Sequence, residues 1–269
     1  MKNIKSSAIS CEASVSDVIS ELGSGSRVLL LLRHSERPRI GYEDKTFGAS
    51  LPLTEHGKHL CVEFGQMLAG ATPSVEFRAS PLLRTVMTAE LVAEGMGLAG
   101  AEVVRDALVG NGSAYVASEL EVWRLFRDGS FFQRMGEYMQ AGEQRGFNPL
   151  APATDAFEEH ALSVFSAQLG IFATHDVYVA AFLHARGVKT DFNPDNWPRF
   201  LDSAAIVLRP DGERRYMLVR AGLSPPRLRR VNKGEFPRRF SLFQFLCDFI
   251  RTVISFLRRW TRFGIITTI

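Results

Sequence analysis

Five consecutive apolar residues, Val28-Leu29-Leu30-Leu31-Leu32, run straight into Arg33-His34, with Arg37 close behind. Bounded by Ser26-Arg27 on one side and charge on the other, the run reads as a strand buried on both faces of a sheet. The basic cluster at its end is not a packing feature. Like charges repel, and a desolvated cation is costly unless something negative compensates it. An anion is the natural partner.

The rest of the chain alternates strand and helix patterns. Ser14 is placed to cap a short helix carrying Val15, Val18, Ile19 and Leu22, stopped by Gly23 and Gly25, after a disordered stretch over 1–13. A polar loop, Ile40 to Ser50, is expected to wrap over the basic cluster. Thr54 caps a helix with Leu60, Cys61, Phe64, Met67 and Leu68 at helical spacing. Val75–Ala79 is a second strand, and Ser80-Pro81 reads as the cap and first-turn proline of a helix reaching Gly95. Glu102 to Arg105 is a third strand. An aromatic-rich stretch, about 111–152, predicts two helices joined at Asp128-Gly129, read as a cap inserted over the sheet; core packing accounts for its aromatics equally well. A helix is expected from Phe157 to Leu169 with Val164 and Phe165 inward, then a buried strand ending in Thr174-His175-Asp176. A hairpin follows, turning at Pro210-Asp211-Gly212. This order predicts an α/β fold: a mostly parallel central sheet with an antiparallel edge, flanked by helices in a three-layer sandwich.

Length and charge set the domain layout. The 269 residues suffice for one large domain and a tail. The net charge of +3 hides an asymmetry, because ten of the Lys and Arg residues but only Glu235 and Asp248 among the acids lie beyond Gly222. The layout expected is an extension over 1–25, a catalytic domain over 26–222, and a basic linker with an amphipathic helical tail over 223–269. Within that tail, 240–262 is largely apolar apart from a stripe of Ser241, Gln244, Asp248, Arg251, Ser255, Arg258 and Arg262. Such a helix suits an anionic membrane surface, or packs on the domain or on a second subunit by self-association, the two readings standing level. A nucleic-acid partner is not expected. Cys11, Cys61 and Cys247 share no ligand spacing, and the N-terminus lacks an apolar signal core. The expected location is cytoplasmic, with the tail offering a peripheral place at the inner membrane surface.

Three segments share one grammar, an apolar strand followed by polar groups: Arg33, His34 and Arg37; Ser80 and Arg84; Thr174, His175 and Asp176. In an open parallel sheet, ligands bind at the carboxyl edge. Arg33-His34-Ser35-Glu36-Arg37 resembles the Arg-His-Gly-x-Arg signature of the histidine phosphatase superfamily. Ser80-Pro81-Leu82-Leu83-Arg84-Thr85 with Thr88-Ala89 resembles its second-arginine segment. Leu53-Thr54-Glu55-His56-Gly57 is similar to the helix start of its phosphoglycerate-mutase-like branch, and Thr174-His175-Asp176 to the His-Asp element of its acid phosphatase branch. Ser35 departs from the usual glycine and puts a side chain close to the phosphate pocket. Residues 106–111 lack the glutamate that mutase-like members use as proton donor.

The resemblance implies a phosphomonoester hydrolase working through a phosphohistidine on His34, without metal or other cofactor. Arg33, Arg37, Arg84 and Thr174 would bind the phosphoryl group, since guanidinium forks match its spread charge. His175 would donate to an equatorial oxygen, and Asp176 would protonate the leaving alcohol; Glu36, Glu43, Asp44 and Glu55 are further acid candidates. A small phosphorylated substrate is the expected partner. Two alternatives are a phosphomutase sharing the intermediate and a non-catalytic phospholigand-binding protein docked to a membrane by its tail.

Overall fold

The computed structural model describes residues 12–41, 43–110 and 114–223. The chain divides into two units, 1–224 and 225–269, so the expected tail helix lies outside the described residues. Among the described residues, no helix is long and apolar enough to cross a membrane.

Seven strands form one sheet. They are β1 (Glu12–Ser14), β2 (Arg27–Arg33), β3 (Val75–Ala79), β4 (Val103–Arg105), β5 (Leu169–Thr174), β6 (Ser203–Leu208) and β7 (Arg214–Arg220). Their spatial order is β1-β7-β6-β2-β5-β3-β4. β6 alone runs against its neighbours, being antiparallel to both β2 and β7. The antiparallel strand expected at an edge is therefore internal. The edge belongs to β1, which pairs parallel with β7. Residues 12 and 13, expected to be disordered from their polar surroundings, are strand because β7 offers them an open ladder.

The run at 28–32 is wholly buried, and its alternation divides two cores. Val28, Leu30 and Leu32 face the layer of α1 (Val15–Gly23), α2 (Glu55–Leu68) and α3 (Leu83–Gly95). Leu29 and Leu31 face the other layer, α5 (Phe131–Ala141), α6 (Leu150–Val164) and α7 (Asp176–Ala185). Helices thus cover both faces, the three-layer arrangement expected. Together with α4 (Glu119–Phe126), there are seven α-helices among the described residues.

Helix boundaries follow local chemistry. Ser14 makes the capping box of α1 with Asp17, and the Thr54 hydroxyl accepts from the Gly57 N–H at 2.9 Å. Two expectations on helices need correcting. Ser80-Pro81 does not start α3: its N-cap is Leu82, and the Ser80 hydroxyl bonds Thr85 and His175 instead. The helix expected from Phe157 begins at Leu150 and ends at Val164, with Phe165 as a buried C-cap. Pro152 lies in its first turn, where a missing N–H costs nothing.

Between β4 and α6 the aromatic stretch forms α4 and α5, joined through 127–130, and a bridge between Val116 and Phe147 closes its base. Its aromatics divide. Tyr138 is fully buried in the core beside Met135, whereas Phe132 is 41% exposed.

Candidate active site

The carboxyl edge assembles from three adjacent strands, β2, β5 and β3. Register sets Arg33 opposite Thr174, and Ala79 opposite Ala173. The residues that end each strand therefore meet. The His34 N–H donates to the Thr174 carbonyl at 2.9 Å, and the Ser80 N–H to the Ala173 carbonyl at 3.0 Å.

His34 is buried, and its Nδ1 lies 2.7 Å from its neighbour's carbonyl, that of Ser35. A carbonyl can only accept, so Nδ1 carries the proton and Nε2 keeps its lone pair. Burial, then His175, Arg33 and Arg84, hold this imidazole well below its usual pKa. A neutral ring with a free Nε2 is the form a nucleophile needs.

His175 stands beside it, with ring centroids 5.4 Å apart. A hydroxyl chain fixes its tautomer. Thr85 Oγ1 lies 2.7–2.8 Å from the carbonyls of Leu82 and Ser80 and spends its proton there. Ser80 Oγ then donates to Thr85 Oγ1 at 2.8 Å and accepts from His175 Nε2 at 3.0 Å. The Nδ1 lone pair is left for Arg84, whose NH2 lies 3.5 Å away. Burial and Arg84 push this histidine down to about 3. At rest it accepts from Arg84, so the donor role expected of it is not present in this arrangement.

Arg84 is 4% exposed and donates to the Gly48 carbonyl at 2.8 Å, which draws the 40–50 loop over the site. Burial, with Arg37, lowers its pKa to about 10, leaving it charged near neutrality. Arg37 is lowered by burial too. Arg33 stacks 4.4 Å above the Phe200 ring, donates to the Pro198 carbonyl, and pairs with Asp176 at 3.1 Å. The buried Nε atoms of Arg33, Arg37 and Arg84 have no hydrogen-bond partner, nor does Thr174 Oγ1. Such orphans are costly, and four of the nine buried side-chain atoms without a partner among the described residues belong to residues expected to hold a phosphoryl group.

Asp176 follows the N-cap His175 as the first residue of α7. Its carboxylate accepts from the Val177 N–H at 3.0 Å and from Trp197 Nε1 at 3.2 Å. Burial would raise its pKa, but Arg33, Trp197 and His175 outweigh that and hold it below the ordinary value. Of the other acid candidates, Asp44 reaches the cavity wall, with its carboxylate committed to Thr46 and Gly48. Glu36 instead accepts from the Thr54 hydroxyl at 2.7 Å, joining the Arg-His segment to α2, and Glu55 pairs with Lys58. Asp106 binds His160 at 2.7 Å.

Two local details explain the motif spacing. A Cβ at Gly57 would sit 2.3 Å from the Glu36 carbonyl oxygen, so the start of α2 can approach the strand end only with glycine there. Ser35 is accommodated away from the cavity wall: its hydroxyl donates to the Gly57 carbonyl at 2.8 Å, and its N–H to Thr88 Oγ1 at 3.1 Å. The Ser35 side chain thus lies beside His34, close to the cavity but outside its wall.

These groups form one end of a cavity of about 420 Å³ whose wall includes His34, Arg37, Arg84, His175 and Asp176. Arg33 lies behind Asp176 rather than in the wall. Sequence reasoning misses Trp197, Phe200 and the Ser80–Thr85 relay. Nothing in a loop such as 192–200 announces a partner for Asp176, whereas Ser80 beside a strand end is a visible polar group whose partners lie elsewhere than a cap. Among the described residues, no group of three or more His, Cys, Asp or Glu side chains is placed to hold a metal ion.

Residues 29–108 match the family model of the histidine phosphatase superfamily, branch 1. The resemblance read from the motifs is borne out over that stretch, which carries Arg33, His34, Arg37 and Arg84. Thr174, His175 and Asp176 lie outside the match and join these matched residues through the sheet. No curated protein matches the chain. Among solved structures, a phosphoglycerate mutase from Bacillus anthracis is 15% identical with a TM-score of 0.46, covering 74% of this chain and 93% of that one. A mycobacterial glucosyl-3-phosphoglycerate phosphatase is 15% identical with a TM-score of 0.48, covering 72% and 97%. A Thermus thermophilus protein is 22% identical with a TM-score of 0.42, covering 71% and 98%.

Proposed function

We propose that this protein hydrolyses a small phosphomonoester through a phosphohistidine at His34. The observation that supports it most is the neutral His34, its Nε2 unengaged, set among guanidinium groups whose buried Nε atoms lack partners. Phosphoryl transfer asks mainly for positioning and charge stabilisation, and fixed guanidinium donors supply both.

His34 Nε2 attacks phosphorus; the N–P bond forms as the ester P–O bond breaks, and the leaving alkoxide takes a proton from Asp176. Water then attacks phosphorus, returning a proton to Asp176 as the N–P bond breaks and inorganic phosphate leaves. Asp176 is a carboxylate at rest, so substrate binding takes up one proton. A bound dianion drawing Arg33 to itself, and adding negative charge beside the carboxyl, raises the proton affinity of Asp176. His175 acts by aiming Arg84, and Arg37 and Thr174 complete the phosphate contacts.

A mutase shares every step up to the phosphohistidine, and the same geometry serves it. Single-turnover labelling with a phosphorus-radiolabelled monoester tests both readings against a non-catalytic one. An acid-labile label expected on His34, absent in His34→Gln, supports catalysis. Released inorganic phosphate then marks the hydrolase, and phosphate relocated within the substrate marks the mutase. No label and no phosphate release would overturn the enzyme reading.

A further inference from the structure

The cavity does not end at the phosphate site. Away from the histidines and arginines its wall is aromatic: Trp123 and Phe126 from α4, Phe131 and Phe132 from α5, then Phe147, with Phe47 from the 40–50 loop. These rings pack edge to face, at 5.0 Å for Phe126 with Phe131 and 5.1 Å for Phe131 with Phe132. The remaining charged wall residues outside the phosphate end are Asp44, Glu119 and Arg127. Asp44 is spent on Thr46 and Gly48, and Glu119 and Arg127 are exposed to solvent. A phosphoryl group fills only a fraction of about 420 Å³, and the remainder lies within the size range of pockets that enclose whole organic ligands.

We infer that the alcohol released from the phosphomonoester is large and apolar and carries an aromatic ring, and that α4 and α5 select it. The inference rests on the phosphate-site reading above and adds the substrate class. A sugar or glycerate hydroxyl entering this chamber loses its water and finds aromatic carbon, leaving polar groups unpaired. An aromatic ring instead meets edges and faces at the spacings such rings favour, and sheds water from both partners. The cap is also joined to the chemistry. Phe131 and Phe132 lie 5.4 and 5.5 Å from the ring of Trp197, whose N–H holds Asp176.

Non-hydrolysable phosphonates separate this inference from catalysis. Calorimetric titration of the full chain with 2-naphthylmethylphosphonate and with methylphosphonate should give roughly 100-fold tighter binding of the naphthyl compound. Trp123→Ala and Phe131→Ala should each shrink that ratio by about tenfold, with Trp123→Leu in reserve should the alanine variant fail to fold. A naphthyl compound bound no more tightly than methylphosphonate, or a ratio indifferent to these substitutions, overturns the inference. Retained naphthyl preference with no turnover of any monoester overturns the hydrolase reading and leaves the aromatic-ligand chamber standing.

Discussion

The two ends of the cavity are built in opposite ways. The end proposed to hold phosphate is made of strand ends whose positions are fixed by sheet register, with Arg84, His34 and Thr174 buried and tied to backbone. The aromatic end is made of two helices inserted between β4 and α6, where rings are partly exposed and held by one another. The contrast separates chemistry from selection. Under the proposed function, displacing a charged group fixed by the sheet should damage every substrate alike, whereas altering a ring on the cap should change which substrate is preferred.

The largest effect that tests this division is Arg84→Ala. It removes a buried guanidinium, leaves His175 Nδ1 without its partner and frees the Gly48 carbonyl, so kcat/KM should fall about 10³-fold for every monoester, small or large. Arg84→Lys should restore little of it, since a point charge does not replace the fork. A loss confined to aromatic substrates would break the comparison. Asp176→Asn comes next. Turnover of an alkyl phosphate should drop about 10²-fold or more, while p-nitrophenyl phosphate, whose leaving group needs no proton, is largely spared. Equal losses on both would remove Asp176 from the acid role and leave it as the anchor of Arg33.

The two histidines of the proposed phosphate end should make stability follow pH. His34 and His175 titrate below the ordinary imidazole value in the folded state. Below about pH 6.5 the unfolded chain therefore binds more protons, and stability falls as pH falls, by about 1.4 kcal/mol per pH unit for each histidine. Denaturant melts between pH 7 and pH 4 should show a shallower loss in His34→Gln, and no change of slope in Phe132→Ala. The smallest effect is Ser80→Ala. Loss of the hydroxyl that receives His175 Nε2–H should lower kcat about tenfold and shift the acid limb of the pH–rate profile, because the tautomer is no longer fixed. A profile that does not move would make Ser80 a packing residue only.

Legibility follows the locality of the forces. β2 is readable residue for residue, because an apolar run between charges has one way to be buried. Thr54 is recognisable as a cap for the same local reason. The start of α3 is hidden because the Ser80 hydroxyl, a good cap in isolation, is taken by groups brought from α3 itself and from the end of β5. The start of α6 is hidden because Pro152 reads equally as an end and as a first-turn residue. Trp197 has no local signal at all.

By itself, then, the sequence determined the composition of the candidate site: which guanidinium, imidazole and carboxyl groups end apolar strands. Short-range periodicity and charge cost are written residue by residue, so they survive in one dimension. Tertiary structure alone decided how those groups are used. It made Asp176 a carboxylate by bringing Arg33 and Trp197 to it, turned His175 toward Arg84 through Ser80, and closed a ring-lined chamber above them. Protonation state, tautomer and cavity shape depend on neighbours far along the chain, and only folding chooses those neighbours.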